Sequence, residues 1–292
     1  MISPDALTAA WHASHRLTPA MLAAFRRTIL DRYRAHPRPM PWRETGDPYH
    51  ILVSEAMLQQ TQVERVWSKY EEFLTAFPTV EQLAAAPLAE VLRVWQGLGY
   101  NRRAVALQRC AVEVVGRFGG KLPLSVADLQ SLPGIGPYTA RAVAAFAYGV
   151  AEALIETNIR TVFIHCFFHG HDSVSDGEIL PLVELTRDRK NPRDWYYALM
   201  DYGVHLKKTH PNPGRRSRHH TRQTAFEGSN RQLRSRLLRA VLQQPGVSIA
   251  ELAEIVQKER KDVVENLDSM EREGFLEKRG GSYFIMGEKK QG

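Results

Sequence analysis

The sequence predicts an all-α body followed by a small C-terminal winged helix-turn-helix. Apolar residues recur at helical spacing in nearly every patterned stretch. No convincing alternation of the kind a half-buried strand needs precedes residue 275. Proline and glycine fall where they stop helices, until Gly280-Gly281 supplies a two-residue hairpin turn.

In chain order, Met21 to Arg34 repeats its apolar residues at helical spacing and stops at Pro37, Pro39 and Pro41. Tyr49 to Leu74 reads as one long helical region ending near Phe77-Pro78. Pro87 opens a helix with Leu88, Val91, Leu92 and Trp95 on one face, closed by Gly97-Leu98-Gly99. Ser125 can cap a helix carrying Val126, Leu129 and Leu132, and a further helix starts at Tyr138 with Ala140, Val143, Ala144 and Ala147. From Lys207 to Arg239 the basic residues meet a single acid, Glu227, and Pro211, Pro213 and Gly214 interrupt helicity. Beyond it, Leu233, Leu237, Leu238, Val241 and Leu242 line a helix, and Ser248 with Glu251 forms a capping-box pattern before Ile249, Leu252, Ala253 and Val256. A third helix turns Val263, Val264, Leu267 and Met270 inward, and Phe275–Arg279 and Ser282–Met286 flank the Gly280-Gly281 turn.

At 43% hydrophobic residues the chain can bury a sizeable core, and 24% charged is ordinary for a globular protein. The formal net charge of +7 favours a polyanionic partner. Two cysteines, Cys110 and Cys166, are too few for a disulfide framework and fit a reducing compartment. Met1 to Ala24 lacks the apolar core of a signal peptide, and the most apolar stretch, Ala142 to Ile155, is too short for a membrane span and contains Glu152. A soluble, cytoplasmic chain is expected. His165, Cys166, His169, His171 and Asp172 gather metal-type donors, but Phe167 and Phe168 between them read as a helix packed in the core, so no metal is expected. Cys110, Trp67, Tyr70 and Phe73 are expected to be core for the same reason of spacing.

The most informative local feature runs from Ser125 to Gly149. Gly134 and Gly136 flank one aliphatic residue and let the backbone approach a ligand with no Cβ between them. The helix after Pro137 then aims unpaired N–H groups and its positive dipole end at an anion. Such a helix-hairpin-helix is suited to gripping one DNA phosphate without reading sequence; the alternative is a plain helical hairpin. Further on, the apolar run before Glu156 and the neighbouring Asn158 mark a candidate functional carboxylate.

These features join Pro41-Trp42-Arg43, Asp47-Pro48-Tyr49, Ser54-Glu55-Ala56-Met57-Leu58-Gln59-Gln60-Thr61-Gln62-Val63, Phe77-Pro78-Thr79, Gly97-Leu98-Gly99-Tyr100, Leu132-Pro133-Gly134-Ile135-Gly136-Pro137-Tyr138 and Ala198-Leu199-Met200-Asp201-Tyr202-Gly203. Over residues 20 to 206 the chain resembles the helix-hairpin-helix DNA glycosylases, above all those that remove adenine opposite oxidised or normal guanine. The resemblance implies a two-lobed helical fold, a target nucleotide flipped out of the stack, and a site in the cleft between lobes. It gives Glu55 the role of the acid that protonates the leaving base, which requires a proton near neutral pH and hence burial. Glu156 takes the place of the carboxylate that steadies the sugar cation, Asn158 orients it, and Tyr138 stands beside the sugar. Gln59 and Tyr100 match residues that wedge into the duplex. Related bifunctional enzymes have a lysine amine where Tyr138 stands; a phenol forms no Schiff base, so hydrolysis without strand cleavage is expected.

Three departures shape the expectation. Glu156 stands where the family has aspartate, and the added methylene moves the carboxylate by about 1 Å. Four cluster-binding cysteines are expected after Gly203, but Lys207, Gly214, Ser217 and Gln223 occupy those positions, so neither an iron–sulfur cluster nor any other cofactor is expected. A winged helix is expected in the place where the resemblance implies the Nudix-like domain of adenine glycosylases. The domains expected are 1–206, a basic linker or DNA-contacting loop at 207–228, and 229–292. Lys207, Arg215, Arg216 and Arg218 are the candidate phosphate contacts, beside Gly134 and Gly136. The expected function is that of a monomeric, monofunctional DNA glycosylase acting on a mispaired or damaged base in double-stranded DNA, adenine leading. The alternatives are a uracil or thymine mismatch glycosylase, or a non-catalytic reader of DNA structure or regulator.

Overall fold

The computed structural model describes residues 3–221 and 225–288. In chain order the helices of the large body are α1 (Pro4–Ser14), α2 (Pro19–Ala35), α3 (Pro41–Glu44), α4 (Pro48–Leu58), α5 (Val63–Ala76), α6 (Val80–Ala85), α7 (Leu88–Trp95), α8 (Arg102–Phe118), α9 (Val126–Gln130), α10 (Pro137–Tyr148), α11 (Thr157–Phe167), α12 (Asp176–Thr186) and α13 (Pro192–Thr209). A 3-10 turn follows at Pro213–Arg216, then α14 (Asn230–Gln243), β1 (Val247–Ser248), α15 (Ile249–Val256), α16 (Arg260–Arg272), β2 (Leu276–Arg279) and β3 (Ser282–Ile285). Local signals start the helices: Ser3 and Thr18 cap α1 and α2, and complete capping boxes open α6 (Thr79, Gln82), α12 (Ser175, Glu178) and α15 (Ser248, Glu251).

The chain folds into two compact units that do not follow the sequence divisions. The first comprises Met1–Ile51, Leu124–Val126 and Gly136–Arg222; the second comprises Leu52–Pro123, Ala127–Ile135 and Gln223–Gly292. In the first, α11 is the central helix and packs against α1, α12, α13 and the 3-10 turn. Phe25 meets Phe163, Phe167 and Trp195 there, all nearly solvent-free. Two of the sequence motifs meet in one buried ion pair: Arg43 donates to both carboxylate oxygens of Asp201, at 2.8 and 3.0 Å, while Arg38 adds a third bond at 3.2 Å. Removing one partner of such a pair costs about 3–5 kcal/mol, because the other charge is left buried.

In the second unit, α8 packs on α6 and α7, with Phe73, Phe77 and Trp95 in edge-to-face contact. Residues 230–285 add three helices and a three-stranded antiparallel sheet in the order β1-β3-β2. Gly280 and Gly281 turn the β2–β3 hairpin with φ of +58° and +87°, a conformation glycine tolerates at little cost.

Several expectations need correction. The region from Tyr49 to Leu74 is two helices, because Gln60 adopts φ +55° and ends α4 before α5 starts. Strand β1 precedes residue 275; at two residues it is too short to show alternation. Leu132 lies beyond α9, which spans only Val126–Gln130. Residues 207–221 are a folded part of the first unit rather than a linker: α13 runs to Thr209, and Val174 pairs with Ser217 through bonds to Arg216 and Arg218. Trp67 is 39% exposed, whereas Tyr70, Phe73 and Cys110 are core.

Candidate active site

Glu156 ends an extended segment and is the N-cap of α11. Its Oε1 accepts from the backbone N–H groups of Asn158 (2.6 Å) and Ile159 (2.8 Å), and its Oε2 accepts from the Asn158 side-chain amide at 3.2 Å. The acid thus takes up orphan donors at a helix start, where the dipole favours negative charge. Burial is the largest influence on this carboxyl and pushes its pKa up; the two backbone bonds, Lys207 and Arg160 pull against it. Lys207 Nζ donates to Asn158 Oδ1 at 2.8 Å, so the amide is held from both ends between an acid and an amine. Burial lowers the Lys207 pKa, and Glu156 opposes that shift. Arg160 is turned away into a paired bond with Asp176, at 2.6 and 2.8 Å.

Gly203 shows why the Asp-Tyr-Gly motif belongs to this site. A Cβ at Gly203 would stand 2.3 Å from the carbonyl oxygen of Asn158 and 2.8 Å from its Cβ, so α13 can lie flush against the start of α11 only without a side chain there. Tyr138, part-exposed, is the second residue of α10, whose N-cap is Gly136 with no side-chain cap bond. Gly134 (φ +75°) and Gly136 are exposed, and in the second unit a Cβ on Gly134 would meet the Ala106 methyl at 2.6 Å. The turn is therefore close-packed behind and bare in front.

The other candidates lie in the second unit. Glu55 is 7% exposed on α4. Gln59 follows the end of α4, and Tyr100 ends a loop in which Gly97, Gly99 and Tyr100 itself all have positive φ, at +95°, +72° and +47°. A tyrosine in the left-handed region is strained and persists only where its surroundings over-determine it. Arg103 is that surrounding. Its guanidinium donates to the carbonyls of Ala56 (2.8 Å), Met57 (2.8 Å), Gln59 (2.6 Å) and Gly99 (2.9 Å) and to the Thr61 hydroxyl (3.1 Å), tying both loops to α8. Burial lowers its pKa to about 10.

The structure therefore groups Glu156, Asn158 and Lys207 in the first unit, and Gln59 and Tyr100 around Arg103 in the second. Arg103 was not singled out in the sequence, although it shares the helical phase of buried Leu107, Ala111 and Val114, an unusual place for a charge. Of the basic run, Arg215 and Arg218 are exposed. Arg216 does not fit a phosphate contact: its guanidinium donates to the carbonyls of Phe168 (2.6 Å), His171 (3.2 Å) and Ile164 (3.4 Å), closing the end of α11. The cluster positions do not suit a cluster either. Lys207 is bonded to Asn158, Gly214 presses on Thr161, and the Ser217 hydroxyl accepts from the His219 N–H at 3.0 Å; Gln223 lies outside the described residues. Among the described residues no group of three or more His, Cys, Asp or Glu is placed to hold a metal ion, and Cys166 is buried with its thiol pushed up to about 12. No helix among them is long and apolar enough to cross a membrane.

Residues 53–189, which carry the hairpin, Glu55 and Glu156, match the HhH-GPD superfamily of base excision DNA repair proteins. Residues 231–285 match a second family, described as HVO_A0114. The chain is similar to the adenine DNA glycosylase of Mycolicibacterium smegmatis, 41% identical over 179 residues that cover 60% of this chain and 61% of that protein. It is also similar to the thymine/uracil-DNA glycosylase of Pyrobaculum aerophilum, 37% identical over 49% of this chain and 63% of that protein. The chain thus spans less than two thirds of the length of either. Among solved structures, a thermostable thymine-DNA glycosylase superposes with a TM-score of 0.57 at 29% identity, covering 63% of this chain and 86% of that one.

Proposed function

We propose that the chain is a monofunctional DNA N-glycosylase that hydrolyses the bond between the sugar and a mispaired or damaged base, with adenine the leading substrate. The observation that carries this reading is the Glu156–Asn158–Lys207 group, a carboxylate steadied by two backbone N–H groups and an oriented amide. As the C1′–N bond breaks, its electron pair leaves with the base and positive charge develops on the sugar. Glu156 opposes that charge, and Glu55 delivers a proton to the departing base; water then adds to C1′ and returns a proton. Tyr138 offers no amine to trap the sugar as a Schiff base, so the strand stays intact.

The exposed Gly134–Gly136 turn and the uncapped start of α10 support an anion contact, which a DNA phosphate satisfies. Arg215 and Arg218 are the remaining candidates from the basic run. The similarity to the Pyrobaculum aerophilum protein favours a second reading, removal of thymine or uracil from mismatches. Duplexes holding A:G, A:8-oxoguanine, T:G or U:G pairs, assayed in single turnover with and without alkali, separate these readings. Base release with strand breaks only after alkali supports the proposal; no release from any of the four contradicts it.

A further inference from the structure

The C-terminal helices are joined to α8 within the second unit through Glu273. Glu273, just past α16, accepts from Arg102 (2.5 and 2.6 Å), from Arg234 of α14 (2.6 Å) and from the Ser269 hydroxyl (2.8 Å). Its backbone carbonyl also takes a bond from Arg109 at 3.2 Å. At the other end of this contact, Arg231 Nη1 of α14 donates to the Tyr100 hydroxyl at 2.5 Å, and its guanidinium lies 5.4 Å from the centre of the Tyr100 ring. The strained tyrosine is therefore gripped from two directions, by Arg103 through the loop backbone and by Arg231 through the side chain.

Three of the four arginines of α14 are engaged with protein groups, while Arg239 is exposed. In α14, which has no acid, Arg231 meets Tyr100, Arg234 meets Glu273 and Arg236 donates to the Ile255 carbonyl at 3.0 Å. Helix α16, the one that a helix-turn-helix would lay in a groove, carries Asp262, Glu265, Asp268 and Glu271 against Arg260, Lys261 and Arg272. An acidic excess there opposes phosphate binding.

We propose that Arg231 is a positioning residue for Tyr100, and that the C-terminal module braces the duplex-probing loop instead of reading DNA by itself. The inference rests on the glycosylase reading for what Tyr100 does to the duplex, and its test needs no base release. The full-length chain is titrated against a duplex carrying a tetrahydrofuran abasic analogue beside a 2-aminopurine, whose fluorescence rises when the stack opens. Tyr100→Phe removes one oxygen and leaves packing intact; Arg231→Ala removes the donor; the double variant closes the cycle. Each single change is expected to weaken binding about fivefold and to reduce the fluorescence rise, roughly the loss of one hydrogen bond. The double variant should be no worse than either single, and Arg231→Lys should recover part of the loss. Losses that multiply, an unchanged Arg231→Ala protein, or a wild-type chain that does not bind this duplex would overturn the proposal. Coupled losses in a chain that releases no base would instead contradict the glycosylase reading and leave the brace standing.

Discussion

Glu156 has to be ionised to oppose a sugar cation, yet burial raises its pKa. The sign of two pH effects follows. Base release should fall as pH drops through the raised value, above the ordinary carboxylate range, and Lys207→Met, which removes a charge that lowers that pKa, should move the acid limb to higher pH; a single-turnover pH profile checks both. Because the folded pKa is raised, the native state binds the extra proton between the unfolded and folded values, so stability is lost as pH rises across that window. Melting of Glu156→Gln, which has no such charge to bury, should therefore gain on wild type as pH rises from about 4.5 toward the folded value. Glu156→Asp should slow release by retracting the carboxylate from the place that the Asn158 amide and the α11 N–H groups fix for it. Glu156 and Asn158 were legible in the sequence because an acid and an amide after an apolar run stand out. Lys207 was legible as a base in a basic run and at a position where the resemblance implies a cysteine; its bond to Asn158 depends on α13 passing the start of α11, a tertiary fact with no local pattern.

Helices with their own start signals were readable from sequence, as at Ser248 and Glu251, where a local box sets the boundary. The α4–α5 break was not, since the apolar spacing runs through it and only the backbone of Gln60, with Arg103 collecting the freed carbonyls, shows the stop. Gly203 was visible as a motif residue, but its reason is a contact between helices. Gly203→Ala would force α13 off the Asn158 backbone, which cannot yield as a flexible side chain could. The expected cost is about 1–3 kcal/mol of stability, the usual range for overpacking. Base release should fall further than that alone explains, with DNA affinity kept, since the shift lands on the amide that orients Glu156. Denaturant unfolding beside single-turnover rates would test this, and a variant with native stability and native rate would contradict it.

The whole chain departs most from its sequence reading in how it divides. The basic stretch looked like a linker because proline and glycine break its helicity, yet up to residue 221 it folds onto α11 through Arg216 and Gly214. The C-terminal module is a member of the second unit, so removing residues 229–292 should lower the melting temperature by stranding Arg102, Arg109 and Tyr100, while base release stays measurable because Glu55, Tyr138 and Glu156 remain. Protein purified without oxygen should hold no stoichiometric iron, given that Lys207, Gly214 and Ser217 supply no thiolate; an iron and sulfide assay decides it. The glycosylase reading itself is tested most directly by single-turnover base release from an A:G or A:8-oxoguanine duplex, comparing wild type with Glu156→Gln. Wild type should release adenine, and the variant should bind the duplex with unchanged affinity but release it at least about a hundredfold more slowly, the scale of losing one preorganised electrostatic group. Equal rates in the two proteins would show that Glu156 is not the catalytic carboxylate.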